Sequence, residues 1–166
     1  MQSALASDLH RSASPQSASK SSPFVHSMGA KIPLTILLAE DNPTNQKVTL
    51  HLLARLGYHA EAAADGYQVL EALQRKRFDV VLMDIHMPEM DGLEATRRIR
   101  ADTTREQPTI YALTAAATPE DAAACRAAGM DGYLTKPLQL AQLVGALRTT
   151  AEQKLQAKAN HPLADT

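Results

Sequence analysis

From Thr35 onward, short apolar runs alternate with stretches whose apolar positions recur every three to four residues. The run Thr35-Ile36-Leu37-Leu38-Ala39 stops at Glu40-Asp41 and reads as a first strand over 35–40. A continuous apolar run of that length is too short for a helix and marks a strand buried on both faces. Asn42 then supplies a capping side chain and Pro43 a first helical residue, the expected chemistry of a helix start. That helix is predicted to run to Leu56 and to stop at Gly57. With about 100° between successive residues, Asn45, Val48, Thr49, Leu52 and Leu56 share one face, predicted to be the core. Pro43, Leu50 and Ala54 fall on the far side, with Leu53 and Gln46 at its margin.

The alternation continues. Residues 58–63 read as a second strand, Asp65-Gly66 as a turn, and 67–76 as a helix with Val69, Leu70 and Leu73 inward. Val80–Met83 is the third strand, closed by Asp84, and 92–100 the helix after it. A polar loop over 101–107 precedes a fourth strand at 109–113. Thr118-Pro119 caps a helix ending at Gly129, and 132–135 forms a short fifth strand. A final helix begins near Leu138, with apolar residues at 140, 143, 144, 147, 151 and 155. Five strand–helix units in about 120 residues imply a parallel sheet covered on both faces, with right-handed crossovers. The resulting α/β fold is a three-layer, doubly wound sheet of flavodoxin-like order 2-1-3-4-5, which sets strands one and three side by side at the switch point. No internal repeat is visible.

Residues 1–33 break the pattern. Nine serines precede Met28, with Pro15, Pro23 and Pro33 interspersed and few large apolar residues. Such a segment buries too little surface to offset its ordering entropy and reads as a disordered tail or linker. Residues 34–150 form the predicted domain, and 151–166 a helical extension and tail. The net charge of −1 and pI near 6.6 give no global pull toward nucleic acid or an anionic membrane. No apolar stretch approaches the ~20 residues of a membrane span. The single cysteine, Cys125, excludes an internal disulfide, suits a reducing, cytoplasmic setting and reads as a small packing residue. Trp is absent and aromatics make up 4%, so Leu, Val, Ile and Ala must build the core.

The chemistry collects where the strands end. Strands one and three both stop at carboxylates, Glu40-Asp41 and Asp84, and ligands bind beyond the strand ends of an open parallel sheet. Three carboxylates within roughly 5 Å repel by about 3 kcal/mol per pair at an effective dielectric near 20. A cation relieves that cost, so the cluster points to a bound divalent metal. Bland readings stand beside the sharp ones: Asp84 as a helix or turn cap, Glu40-Asp41 as a solvated loop, Thr114 as a strand end, Lys136 as a surface lysine. His86 has no second His or Cys at ligand spacing and reads as an exposed loop side chain rather than an imidazole ligand.

Four blocks carry a resemblance: Leu38-Ala39-Glu40-Asp41-Asn42, Leu82-Met83-Asp84-Ile85-His86-Met87-Pro88-Glu89-Met90-Asp91-Gly92, Ala112-Leu113-Thr114-Ala115 and Tyr133-Leu134-Thr135-Lys136-Pro137. Over roughly residues 34–150, in order and spacing, the chain resembles the receiver domain of two-component response regulators. Its wording is most similar to receivers attached to hybrid histidine kinases. The resemblance implies that Asp84 is the phosphoacceptor, taking a phosphoryl group from phosphohistidine. It implies Mg²⁺ (or Mn²⁺) held by Asp41, Asp84 and the His86 backbone carbonyl, with Glu40 reaching it through water. Thr114, the Ala115 backbone amide and Lys136 would stabilise the phosphoryl group, and Lys136-Pro137 would be cis. Thr114 and Tyr133 would switch the face formed by the fourth helix, fifth strand and fifth helix. The implied partner is a histidine kinase or histidine-phosphotransfer domain, expected to dock on a patch of Leu50, Leu53 and Ala54. Neither nucleic acid nor a membrane is an expected contact, although a parent protein could be membrane-anchored. The long last helix either frays at its end, mediates a homodimer or leads to another module.

Three further readings compete. One is a free-standing single-domain regulator, another a Mg²⁺-dependent phosphohydrolase with an aspartyl-phosphate intermediate, in which His86 would serve as acid and base. The third is a receiver fold that acts by binding alone. A nucleotide-binding protein is disfavoured, since the chain has neither a Walker loop nor a Gly-x-Gly-x-x-Gly turn.

Overall fold

The computed structural model describes residues 27–160. A one-turn helix, Met28–Lys31, leads into β1 (Ile36–Ala39), α1 (Pro43–Arg55), β2 (Glu61–Ala63), α2 (Gly66–Arg75) and β3 (Val80–Asp84). There follow α3 (Gly92–Ala101), β4 (Thr109–Thr114), α4 (Pro119–Ala128), β5 (Gly132–Thr135) and α5 (Leu140–Ala159). The strands form one parallel sheet in the order β2-β1-β3-β4-β5. This is the flavodoxin-like topology predicted from the alternation.

Successive strand residues point to opposite faces, so each strand feeds two cores. Leu37, Ala39, Val81, Met83, Ile110 and Ala112 pack in one cluster with residues of α2, α3 and α4. Ile36, Leu38, Val80, Leu82, Tyr111 and Leu113 pack in the other with Leu53 of α1 and Leu143, Ala146 and Leu147 of α5. Local chemistry sets the helix starts. Asn42 accepts from the Thr44 and Asn45 amides, Asp65 from Gln68, Asp91 from Glu94 and Thr118 from Asp121. Each occupies a donor that the first helical turn would otherwise leave unpaired. Asp65 is therefore the cap of α2 rather than part of a free turn.

The elements depart from expectation in two places. The second strand pairs only over Glu61–Ala63, because β1 meets it from Leu37 onward. Tyr58, before the ladder, is buried and donates its hydroxyl to the Ile32 carbonyl at 2.7 Å. The domain also begins earlier than residue 34. Met28 is fully buried, and the Gly29 amide donates to the Leu56 carbonyl at 2.8 Å. A side chain at Gly29 would place Cβ 2.2 Å from the Gly57 carbonyl oxygen, so this approach requires glycine. Residues 27–33 thus belong to the fold; the rest of the expected tail, and residues 161–166, lie outside the described residues. The buried stripe of α5 ends at Thr150, and Leu155, in the helical extension, is 68% exposed. No helix among the described residues is long and apolar enough to cross a membrane.

Candidate functional site

Parallel register lines up the ends of four strands. Ala39 pairs with Met83, Asp84 with Leu113, and Thr114 with Thr135. Glu40, Asp84, Thr114 and Lys136 therefore stand in a row along one rim of the sheet. Carboxylate oxygens of Glu40, Asp41 and Asp84 lie within 4.8 Å of one another. Glu40 and Asp84 are buried, at 1% and 5% exposure, whereas Asp41 is exposed.

Lys136 reaches this cluster from β5. Its Nζ lies 2.8 Å from Asp84 Oδ2 and 2.8 Å from Glu40 Oε2. Burial opposes the ammonium charge, but hydrogen bonds to Asp84 and Glu40 outweigh it and hold the pKa above the ordinary lysine value. The other Asp84 oxygen, Oδ1, accepts from the His86 amide at 3.1 Å. Three carboxylates against one ammonium leave two negative charges unbalanced. That oxygen-only set fits Mg²⁺, which takes few carboxylates and completes its octahedron with waters and phosphate oxygens.

The β1–α1 turn is pinned by side chains. The Asn42 amide donates to Glu40 Oε1 at 3.2 Å, and Gln46 Nε2 donates to the Glu40 carbonyl at 3.2 Å. At the β3 end, a Cβ on Gly92 would sit 2.1 Å from the Asp84 carbonyl oxygen. Only glycine lets α3 approach Asp84 so closely. The sequence places Gln46 at a helix margin but carries no sign of its bond to Glu40, because a glutamine one turn into a helix has no pattern of its own.

The remaining residues fall as follows. Thr114 is buried, and its hydroxyl donates to the Ala116 carbonyl at 2.7 Å, so it is turned onto its own loop rather than toward Asp84. Ala115 is exposed beside it. Tyr133 is 48% exposed, and the His86 side chain faces solvent. The Lys136–Pro137 peptide bond is cis. A surface hollow of about 480 Å³ lies elsewhere, against Phe78 and Ile99, so cavity size does not mark this rim.

The expected docking patch needs correction. Leu53 is fully buried and Leu50 half-buried against the α1–α5 core, leaving only Ala54 of the three exposed. Val48 and Asn45, assigned to the core face, are exposed instead, Val48 by 52%. Thr49, Leu52 and Leu56 of the predicted face do turn inward; the helix is rotated part-way from the expected phase because Leu53, not Val48, shares a cluster with the buried Met28.

The family model of the response regulator receiver domain matches residues 36–148. The chain is 42% identical over 116 residues to hybrid signal transduction histidine kinase H of Dictyostelium discoideum, covering 68% of this chain and 8% of that protein. It is 44% identical over 115 residues to the sensor protein GacS of Pseudomonas syringae pv. syringae, covering 66% and 13% respectively. The chain thus spans a small part of these relatives' length. A crystal structure of the receiver domain of sensor histidine kinase PA1611 from Pseudomonas aeruginosa PAO1 has a magnesium ion coordinated in its active-site cleft. It shares 43% identity and a TM-score of 0.66, over 72% of this chain and 98% of that one.

Proposed function

The chain belongs to the response regulator receiver family of two-component systems, and from that premise we propose that Asp84 accepts a phosphoryl group from phosphohistidine in a phosphorelay. One carboxylate oxygen of Asp84 attacks phosphorus as the P–N bond breaks, the imidazole leaving group takes up a proton, and an acyl phosphate remains. Such a transfer asks the protein for positioning and charge neutralisation more than for covalent chemistry. Lys136, already 2.8 Å from Asp84, meets the charge of the incoming phosphoryl oxygens. The observation that carries this reading is that ammonium, bridging two buried acids at the row of strand ends. Asp41, Asp84 and the His86 carbonyl would hold Mg²⁺, with Glu40 reaching it through water. Bound there, the ion supplies charge neutralisation and orients the phosphoryl oxygens.

Phosphorylation draws the Thr114 hydroxyl off the Ala116 carbonyl toward the new phosphoryl oxygens, while the Ala115 amide donates to them. Tyr133 then turns inward from its exposed position, shifting the equilibrium of the α4–β5–α5 face. The phosphodonor, a histidine kinase or phosphotransfer domain, docks on the exposed side of α1 around Val48 and Ala54. Identity to hybrid-kinase receivers supports an origin in a larger sensor of that kind. Incubation with acetyl phosphate and Mg²⁺, followed by intact-mass measurement, should show one added phosphoryl group. Labelling that persists in Asp84→Ala, or in excess EDTA, would refute the assignment.

A further inference from the structure

We propose that Gln46 is a positioning residue that sets the geometry of Asp41 for the divalent cation, an inference that rests on the receiver reading above. Asp41 is exposed, so its direction comes from the backbone on either side of it. The peptide after it is held because the Asn42 amide donates to Glu40 Oε1 at 3.2 Å and the Asn42 side chain caps α1. The peptide before it is held at the Glu40 carbonyl, where Gln46 Nε2 donates at 3.2 Å. Glu40 lies beyond the last paired residue of β1, although its amide still donates to the Ala63 carbonyl at 3.0 Å. The Gln46 side chain therefore takes over, at the Glu40 carbonyl, the part a neighbouring strand plays further down the sheet.

Magnesium demands near-ideal octahedral geometry, so a carboxylate that swings with its peptide plane binds it poorly. Glu40 is buried, so removing the Gln46 amide strips its carbonyl of that partner. The 40–41 peptide then gains freedom to rock, at the cost to stability of an unpaired buried oxygen. Gln46 touches neither the phosphoryl group nor the metal; it acts through Asp41.

The test is Gln46→Met, which keeps length and removes the donor, in the full chain. Calorimetric titration with Mg²⁺ alone should give a Kd raised about tenfold, the usual consequence of losing a partner behind a metal ligand. Labelling by acetyl phosphate should need correspondingly more Mg²⁺, yet reach a rate within about twofold of wild type once Mg²⁺ saturates. A Kd raised less than about fivefold would overturn the proposal. So would a metal-free melting temperature lowered by more than about 9 °C, beyond what one unpaired buried carbonyl accounts for, which would assign the loss to the fold. If the unsubstituted chain fails to bind Mg²⁺ or to be labelled, the receiver reading itself falls. If it does both and Gln46→Met matches it, only the role of Gln46 falls.

Discussion

Lys136 shows at the scale of one residue how a buried acidic cluster is tolerated. Its ammonium compensates Glu40 and Asp84 at once, and breaking a buried pair by removing one partner costs more than the pair itself contributes. Lys136→Met should therefore destabilise the metal-free protein by about 3 kcal/mol at neutral pH. The same change removes a positive charge from beside the cation site, so Mg²⁺ should bind more tightly. Mg²⁺ should then raise the melting temperature more in the variant than in the wild type, through linkage. Thermal unfolding with Mg²⁺ and with EDTA measures both effects; a smaller Mg²⁺-dependent rise in the variant would refute the argument. The acids and the lysine were legible in the sequence because each closes or follows a predicted strand. That Glu40 as well as Asp84 pairs with Lys136 was not, since residues 40 and 136 meet only through register across the sheet.

At the scale of the element, α1 separates what periodicity reveals from what it leaves open. Its start and end followed from Asn42-Pro43 and Gly57, but its phase did not. The helix carries two overlapping apolar stripes, one through Val48, Leu52 and Leu56, the other through Leu50, Leu53 and Leu56. In the cluster with Met28 and α5, Leu53 and Leu56 are buried and both Leu50 and Leu52 half-buried, so packing leaves only Val48 outside. Two substitutions separate the stripes. Val48→Asp should slow transfer from a phosphotransfer partner at least tenfold, an interface loss of about 1.4 kcal/mol or more. Labelling by acetyl phosphate and the melting temperature should stay unchanged. Leu53→Ala should instead cost about 2–5 kcal/mol of stability. Stopped-flow transfer assays and denaturant titrations measure these effects, and equal slowing with both donors after Val48→Asp would dismiss the docking face.

At the scale of the whole molecule, the pole opposite the acids is tied together by Asp79. It accepts from the Thr35 amide at 2.8 Å, at the entry to β1, and forms an ion pair with Lys154 of α5. Burial pushes its carboxyl up, but the Lys154 and Thr35 hydrogen bonds outweigh burial and hold it below the usual carboxylate range. A depressed folded pKa contributes stability above the unfolded value near 4, and that stability is lost as pH falls through the folded pKa. Asp79→Asn should thus lower stability at pH 7 by about 1–2 kcal/mol. In melting temperature this is about 3–6 °C. The difference should shrink as pH falls below about 4 and on through the folded pKa. Melts across that range decide it; a gap as wide at pH 3 as at pH 7 would exclude this role. The lead-in shows the same dependence on the whole. Its serines and prolines read as linker, yet Met28 and Tyr58 join the α1–α5 core, and the Gly29 amide and Ile32 carbonyl bond to Leu56 and Tyr58.

Alternating runs and stripes, capping residues and carboxylates at strand ends were enough to specify a parallel α/β sheet and its acidic rim, because each is a local signal repeated at fixed spacing. The rotation of α1, the burial of Met28, the parking of the Thr114 hydroxyl on Ala116 and the support of Glu40 by Gln46 lay beyond such signals. Each depends on which distant side chain fills a space or takes a hydrogen bond, and those competitions are settled only when the layers close on one another.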